Sequence, residues 1–109
     1  MNYNDIKVSV IITTYNRFNL AKRAINSVLL QTYKPLEIIV VEDGSNSGID
    51  KWLENKDVKY VRRFKNKGTS AARNTGIKLA AGNFIAFLDD DDVWKPERLE
   101  KQVKLLNSL

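Results

Sequence analysis

Four consecutive aspartates, Asp89-Asp90-Asp91-Asp92, follow directly on the apolar run Phe84-Ile85-Ala86-Phe87-Leu88. Like charges this close raise one another's pKa and cost stability. A hard divalent cation removes that cost, because Mg²⁺ and Mn²⁺ take oxygen ligands and are held by one or two carboxylates together with substrate phosphates. The chain contains no cysteine and no histidine. That excludes thiolate and imidazole metal sites, cysteine nucleophiles and Ser-His-Asp chemistry, so any metal must be bound through oxygen. The competing account is a solvated, acidic helix start, where negative charge suits the helix dipole. Two further polar clusters weigh against it. Thr13-Thr14-Tyr15-Asn16 follows Val8-Ser9-Val10-Ile11-Ile12, and Glu42-Asp43-Gly44-Ser45 follows Glu37-Ile38-Ile39-Val40-Val41.

The elements that must position these clusters alternate along the chain. The β-branched runs read as strands, with Val58-Lys59-Tyr60-Val61 as a further one. Leu20, Ala21, Ala24, Ile25, Val28 and Leu29 recur at helical spacing, and Pro35 blocks continuation. A short helix is expected from Ile49 to Glu54. Another should start at Gly68-Thr69-Ser70 and end at Gly82, taken as a left-handed cap. A last helix carries Leu99, Val103 and Leu106 in a stripe, with Pro96 in its first turn. Strands without polar alternation, separated by helices, predict an α/β fold: a mostly parallel sheet of about four strands with helices on both faces. Ligands in such folds bind at the carboxyl ends of the strands, where the three polar clusters fall.

At 109 residues, a single domain with one core is expected. The net charge of +5 suits a polyanionic partner such as a nucleotide, a nucleic acid or an acidic lipid. No apolar stretch approaches the roughly twenty residues needed to span a bilayer, and the start, Met1-Asn2-Tyr3-Asn4-Asp5, has no signal-peptide pattern. The expected location is therefore cytoplasmic, at or near the inner face of the membrane.

Six blocks occur in order: Val8 to Arg17; Ser27-Val28-Leu29 with Gln31-Thr32-Tyr33; Glu37 to Ser45; Asn66-Lys67-Gly68; Ala72-Arg73-Asn74-Thr75-Gly76-Ile77; and Phe87 to Asp92 with Trp94 and Pro96. Together they resemble the amino-terminal half of family-2 glycosyltransferases, inverting enzymes of the GT-A fold that use nucleotide sugars. The resemblance implies a Rossmann-like nucleotide-binding half and Mn²⁺ or Mg²⁺ as cofactor. It implies transfer from a nucleotide sugar, UDP-linked by family precedent, to a saccharide or lipid-linked acceptor in cell-surface polysaccharide synthesis.

The same resemblance assigns roles. Thr13, Tyr15, Arg17, Asp43, Gly68, Arg73, Asp89 and Asp90 are the nucleotide-binding candidates. Tyr15, just past a strand, could stack on a nucleobase or serve as a rim aromatic. Asp43 is implied to accept a hydrogen bond from uracil, a task suited to an acceptor-only carboxylate; its alternative role is turn formation ahead of Gly44. Glu42 stands where many relatives carry Asp and is given no role. Arg73 near a helix start opposes the helix dipole, which a bound phosphate would resolve; a salt bridge to a nearby acid is the alternative. Asp89-x-Asp91 aligns as the Asp-x-Asp motif, with Asp91 as direct metal ligand and Asp89 contacting the ribose or the metal's waters. Asp92 is expected to cap the following helix.

Relatives continue well past the position equivalent to Leu109. The domain is therefore read as incomplete, with the catalytic base beyond Leu109 and this chain alone inactive. One sheet edge would then be open to self-association. A receiver domain is rejected, since it wants acidic residues after the first strand, where Thr13-Thr14 stands. A nucleic-acid module would use Lys95, Arg98, Lys101 and Lys104, but no aromatics interleave with them, so no nucleic-acid partner is expected.

Overall fold

A computed structural model describes residues 5–109; the reading of the first four residues, Met1 to Asn4, lies outside it. Along the chain run β1 (Val8–Thr14), α1 (Phe18–Leu29), β2 (Glu37–Asp43), α2 (Ile49–Leu53), β3 (Lys59–Arg63), α3 (Thr69–Leu79), β4 (Phe84–Asp89) and α4 (Arg98–Asn107). The strands form one parallel sheet in the order β3-β2-β1-β4. The expected α/β architecture is thus the one observed. β1 is buried along its whole length and β2 nearly so, whereas the outer strands alternate in exposure. That is the contrast expected between strands covered on both faces and strands at an edge.

Side chains alternate across a strand, and this parity organises the molecule. Val10, Ile12, Ile38, Val40 and Leu88 face one side, where they pack with Ala21, Ile25 and Val28 of α1, Ile49 and Leu53 of α2, and Leu99 and Val103 of α4. Ile11, Ile39 and Val41 face the other side, under Ala72 of α3. Gly76 lets α3 approach closely: a Cβ there would lie 2.5 Å from Cγ2 of Ile11. Gly76→Ala is therefore expected to destabilise the chain by about 1–3 kcal/mol, the usual cost of overpacking. Urea denaturation would show it as a lower midpoint at unchanged slope.

Three local expectations are corrected. α3 ends at Leu79 and continues into an extended Ala80, so Gly82 is not a left-handed cap. It is needed for space instead, since a Cβ there would sit 2.5 Å from the carbonyl oxygen of Lys7 and 2.6 Å from Ser9 Oγ. Pro96 lies in the turn before α4 and not in its first helical turn. Asp92 does not cap α4, which begins six residues later. The Leu99 N–H is met by Oε1 of Gln31 at 3.0 Å, while Gln31 Nε2 donates to the carbonyl of Lys95 at 2.7 Å. With the Thr32 N–H on the Pro96 carbonyl (2.9 Å) and Trp94 buried in the core, this fixes the segment after the acidic run against the end of α1.

At the amino-terminal end of the sheet, Glu37 ties three segments together. Its carboxylate accepts from Ser9 Oγ, Lys59 Nζ and the Ala81 N–H, each at 2.6 Å. Burial opposes ionisation, but the Ala81 N–H, Lys59 and Ser9 outweigh it and hold the pKa at about 2, below the ordinary 4.5. A depressed carboxylate pKa contributes stability that is present above the unfolded pKa and lost as pH falls through the folded one. Stability is thus expected to fall between about pH 5 and pH 2 by on the order of 3 kcal/mol from this group. Glu37→Gln should flatten that acid limb in denaturation curves collected across the range.

Candidate functional site

β1, β2 and β4 run past their apolar cores into polar residues, ending at Thr14, Asp43 and Asp89. Parity then sorts those residues. Thr13, Asp43 and Asp89 share the side of Ile11, Val41 and Phe87, beneath the start of α3. Thr14 and Glu42 turn to the opposite side, and Asp90 lies in the turn past the end of β4. Between the strand ends and α3 lies a cleft of about 560 Å³. The structure brings together on it all nine residues singled out in the sequence: Thr13, Tyr15, Arg17, Asp43, Gly68, Arg73, Asp89, Asp90 and Asp91.

Asp43 is buried and firmly held. Arg63 Nε donates to its Oδ1 at 3.0 Å, and the Gly68 N–H donates to its Oδ2 at 3.1 Å. Arg63 also donates to Thr75 Oγ1 and to the carbonyl of Ala71 (3.4 Å), so it clamps Asp43 to α3. Gly68 has φ +93 and ψ 168, a conformation essentially reserved for glycine. Gly44, with φ +83, has no room for a side chain: a Cβ would lie 2.3 Å from the backbone nitrogen of Asn66. Tyr15 is half exposed at the cleft rim.

The acidic run divides into separate tasks. Asp89 is exposed and pairs with Arg73 (Nη2–Oδ1 3.1 Å), whose guanidinium also lies 5.2 Å from the centre of the Phe87 ring. Arg73 thus makes the salt bridge weighed as its alternative. Asp90 turns inward, accepting from Thr14 Oγ1 at 2.9 Å and from Arg17 Nη1 at 3.3 Å. Asp91 is exposed, with Arg17 Nη1 3.8 Å away. Among the described residues no group of three or more Asp and Glu side chains could by itself enclose a metal ion. The donor set nevertheless fits Mg²⁺ or Mn²⁺ bound in part by a ligand's phosphates: two outward carboxylates, all hard oxygen, at an open cleft.

Sequence reasoning missed two residues. Arg63 stands directly beside Asp43 in the β2–β3 register, but that signal exists only once the strand order is known. Glu42 was passed over, yet it is fully buried. It accepts from Ser45 Oγ at 2.7 Å, the Ser47 N–H at 2.8 Å and the Tyr60 hydroxyl at 2.6 Å. Burial opposes its ionisation, but the bonds from Ser47, Tyr60 and Ser45 prevail and lower its pKa. Burial and the Glu42 charge together push the Tyr60 hydroxyl well above the ordinary tyrosine range.

A parallel α/β sheet with a polar cleft at its carboxyl edge, lined by acids and arginines, places the candidate ligand site where open α/β domains bind their ligands. Residues 9–109 match the family described as glycosyl transferase family 2, and the chain belongs to that family. It is 48% identical over 107 residues to an uncharacterised glycosyltransferase of Rickettsia conorii, covering 94% of this chain and 18% of that protein. It is 41% identical over 106 residues to the Escherichia coli protein WfgD, named a UDP-Glc:α-D-GlcNAc-diphosphoundecaprenol β-1,3-glucosyltransferase (94% and 42% covered). Among solved structures it resembles Staphylococcus aureus TarS 1–349 in complex with UDP-GlcNAc, with a TM-score of 0.84 and 30% identity over 94% of this chain and 32% of that one. It also resembles the mannosyltransferase PcManGT of Pyrobaculum calidifontis in complex with GDP-Man and Mn²⁺, with a TM-score of 0.79, 26% identity, and 94% and 32% covered. The fold is that of the GT-A glycosyltransferases. The chain spans between about a fifth and two-fifths of the length of these relatives.

Proposed function

We propose that this chain is the nucleotide-sugar-binding half of an inverting glycosyltransferase, with a UDP-sugar as donor and a saccharide or lipid-linked saccharide as acceptor. The observation that carries the reading is the convergence of Asp43, Gly68, Arg73, Asp89 and Asp91 on one cleft. The named activity of the Escherichia coli relative and the UDP-GlcNAc held by TarS support the choice of donor and acceptor class.

Asp43, oriented by Arg63 and Gly68, keeps lone pairs for the imide N–H of a uracil base. Tyr15 offers a ring face at the rim for that base to stack upon. Thr13 lies on the cleft floor between Asp43 and Asp89. Arg73 and Arg17 supply planar donors for the diphosphate. Asp89 and Asp91 would hold Mn²⁺ or Mg²⁺. The cation, once bound, neutralises charge on the diphosphate and so assists its departure. Inversion requires a base on the far side of the anomeric carbon. The cleft carboxylates are already engaged, Asp43 by Arg63, Asp90 by Thr14, and Asp89 and Asp91 by the cation. We assign that base to the remainder of a relative-length polypeptide beyond Leu109, and expect this chain alone to transfer no sugar.

Among the described residues no helix is long and apolar enough to cross a membrane. Lys95, Arg98, Lys101 and Lys104 are all exposed around α4, which supports peripheral contact with acidic lipid at the inner membrane face in a surface-polysaccharide pathway. β4 is an edge strand with Ile85 and Phe87 exposed, so self-association of the isolated chain is part of the proposal. Light scattering would show it as a mass that rises with concentration.

The first experiment is calorimetric titration of UDP into the chain with Mn²⁺ and with EDTA. Saturable heat that requires Mn²⁺ is expected. Folded protein with no heat under either condition would overturn the assignment of donor binding to this half.

A further inference from the structure

Ser45 sits between two loops. Its hydroxyl donates to Oε2 of Glu42 at 2.7 Å and accepts the backbone N–H of Asn16 at 2.8 Å. Asn16 has φ 51, the sole left-handed non-glycine backbone among the described residues. Asparagine tolerates that conformation better than most side chains, but it still needs to be held. Its chain neighbours are Tyr15 and Arg17, both on the cleft. Glu42 is anchored independently on β2 and receives the Tyr60 hydroxyl and the Ser47 N–H, so it is a fixed point. Among the described residues no salt bridge neutralises it. A buried carboxylate without a cation is costly unless its hydrogen bonds are complete.

We infer that Glu42, acting through Ser45, is a positioning device for the β1–α1 loop. It holds Tyr15 and Arg17 at the spacing from Asp43 that a bound nucleotide requires. Glu42 touches no ligand itself. The relay Glu42–Ser45–Asn16 joins the turn after β2 to the turn after β1. The inference deepens the nucleotide reading and rests on it for the identity of the ligand.

The test has two readouts that fail separately. Amide hydrogen exchange on the full chain reports the relay without any ligand. In Ser45→Ala the Asn16 N–H is expected to lose its protection, while the core amides of β1 and β2 keep theirs. Ser45→Thr, which retains a hydroxyl, should restore it. Calorimetry with UDP and Mn²⁺ reports the consequence. Ser45→Ala is expected to bind about fivefold more weakly, as for the loss of one hydrogen bond, with a lowered melting temperature because buried Glu42 loses a donor, and Ser45→Thr near wild type in both. Unchanged Asn16 protection in Ser45→Ala would overturn the relay. Lost protection with wild-type affinity would overturn its role in positioning. If the wild-type chain binds no UDP, the donor reading fails and positioning for the nucleotide falls with it, while the exchange data still decide whether the relay exists.

Discussion

Arg63→Ala is expected to cost the fold about 3–5 kcal/mol, the range seen when one partner of a buried ion pair is removed. The Asp43 side chain is 7% exposed and that of Arg63 23% exposed, so water replaces the guanidinium poorly. The substitution also removes the Arg63 contacts to Thr75 and the Ala71 carbonyl, which keep their own hydrogen bond, loosening α3 over β2. Removing the charge from both partners should cost less than removing Arg63 alone, because no unpaired buried charge remains. Chemical denaturation of Arg63→Ala, Asp43→Asn and the double variant would measure this. A double variant as unstable as the sum of the two singles would show that the clamp is not a pair interaction. Where Arg63→Ala still folds, UDP affinity should also fall, since Asp43 loses its fixed orientation.

The second large effect concerns the metal. Asp91→Asn is expected to weaken Mn²⁺-dependent UDP binding by at least about 10- to 100-fold, the range lost on removing mere outer-shell partners of a metal site. The fold should not suffer. Asp91 is exposed, its contact with Arg17 is a long 3.8 Å surface pair of little worth, and its chain neighbours Asp90 and Asp92 carry like charge, so neutralising it costs the fold little. Thermal melting without metal should therefore give a nearly unchanged midpoint. Asp90→Asn should behave in the opposite sense, with lowered stability and a smaller effect on metal dependence, because that carboxylate ties Thr14 and Arg17 to the end of β4. Metal-dependent heat that survives in Asp91→Asn would reassign the metal contact.

The contrast between Asp90 and Asp91 marks how far the sequence could be read. The order of elements and the parallel sheet follow from β-branched runs separated by helical periodicity. So does the gathering of three polar clusters, since the runs ending in Thr14, Asp43 and Asp89 lie side by side in a parallel sheet. What four identical residues in a row cannot reveal is which of them points inward. That depends on where the strand stops and the turn begins, and on Thr14 waiting on the neighbouring strand. The role of Arg63 was hidden for a related reason: its partner is twenty residues away in sequence and adjacent only in register. Gln31 as the partner of the Leu99 N–H lay out of reach as well, because the contact joins positions 68 residues apart. Gly82 was misread because a glycine needed for space and one needed for φ look alike in a sequence.

The pairs Arg73–Asp89 and Arg17–Asp91 bear on how a ligand would enter. Each joins a group suited to phosphate with a group suited to a cation. Metal arriving alone must draw Asp89 from Arg73 and leave that guanidinium without its carboxylate, whereas Arg17 keeps Asp90 at 3.3 Å. A diphosphate arriving alone strands the carboxylate. Arriving together they exchange partners. On the proposed reading, metal and nucleotide should therefore favour each other's binding by the same factor, as linkage demands.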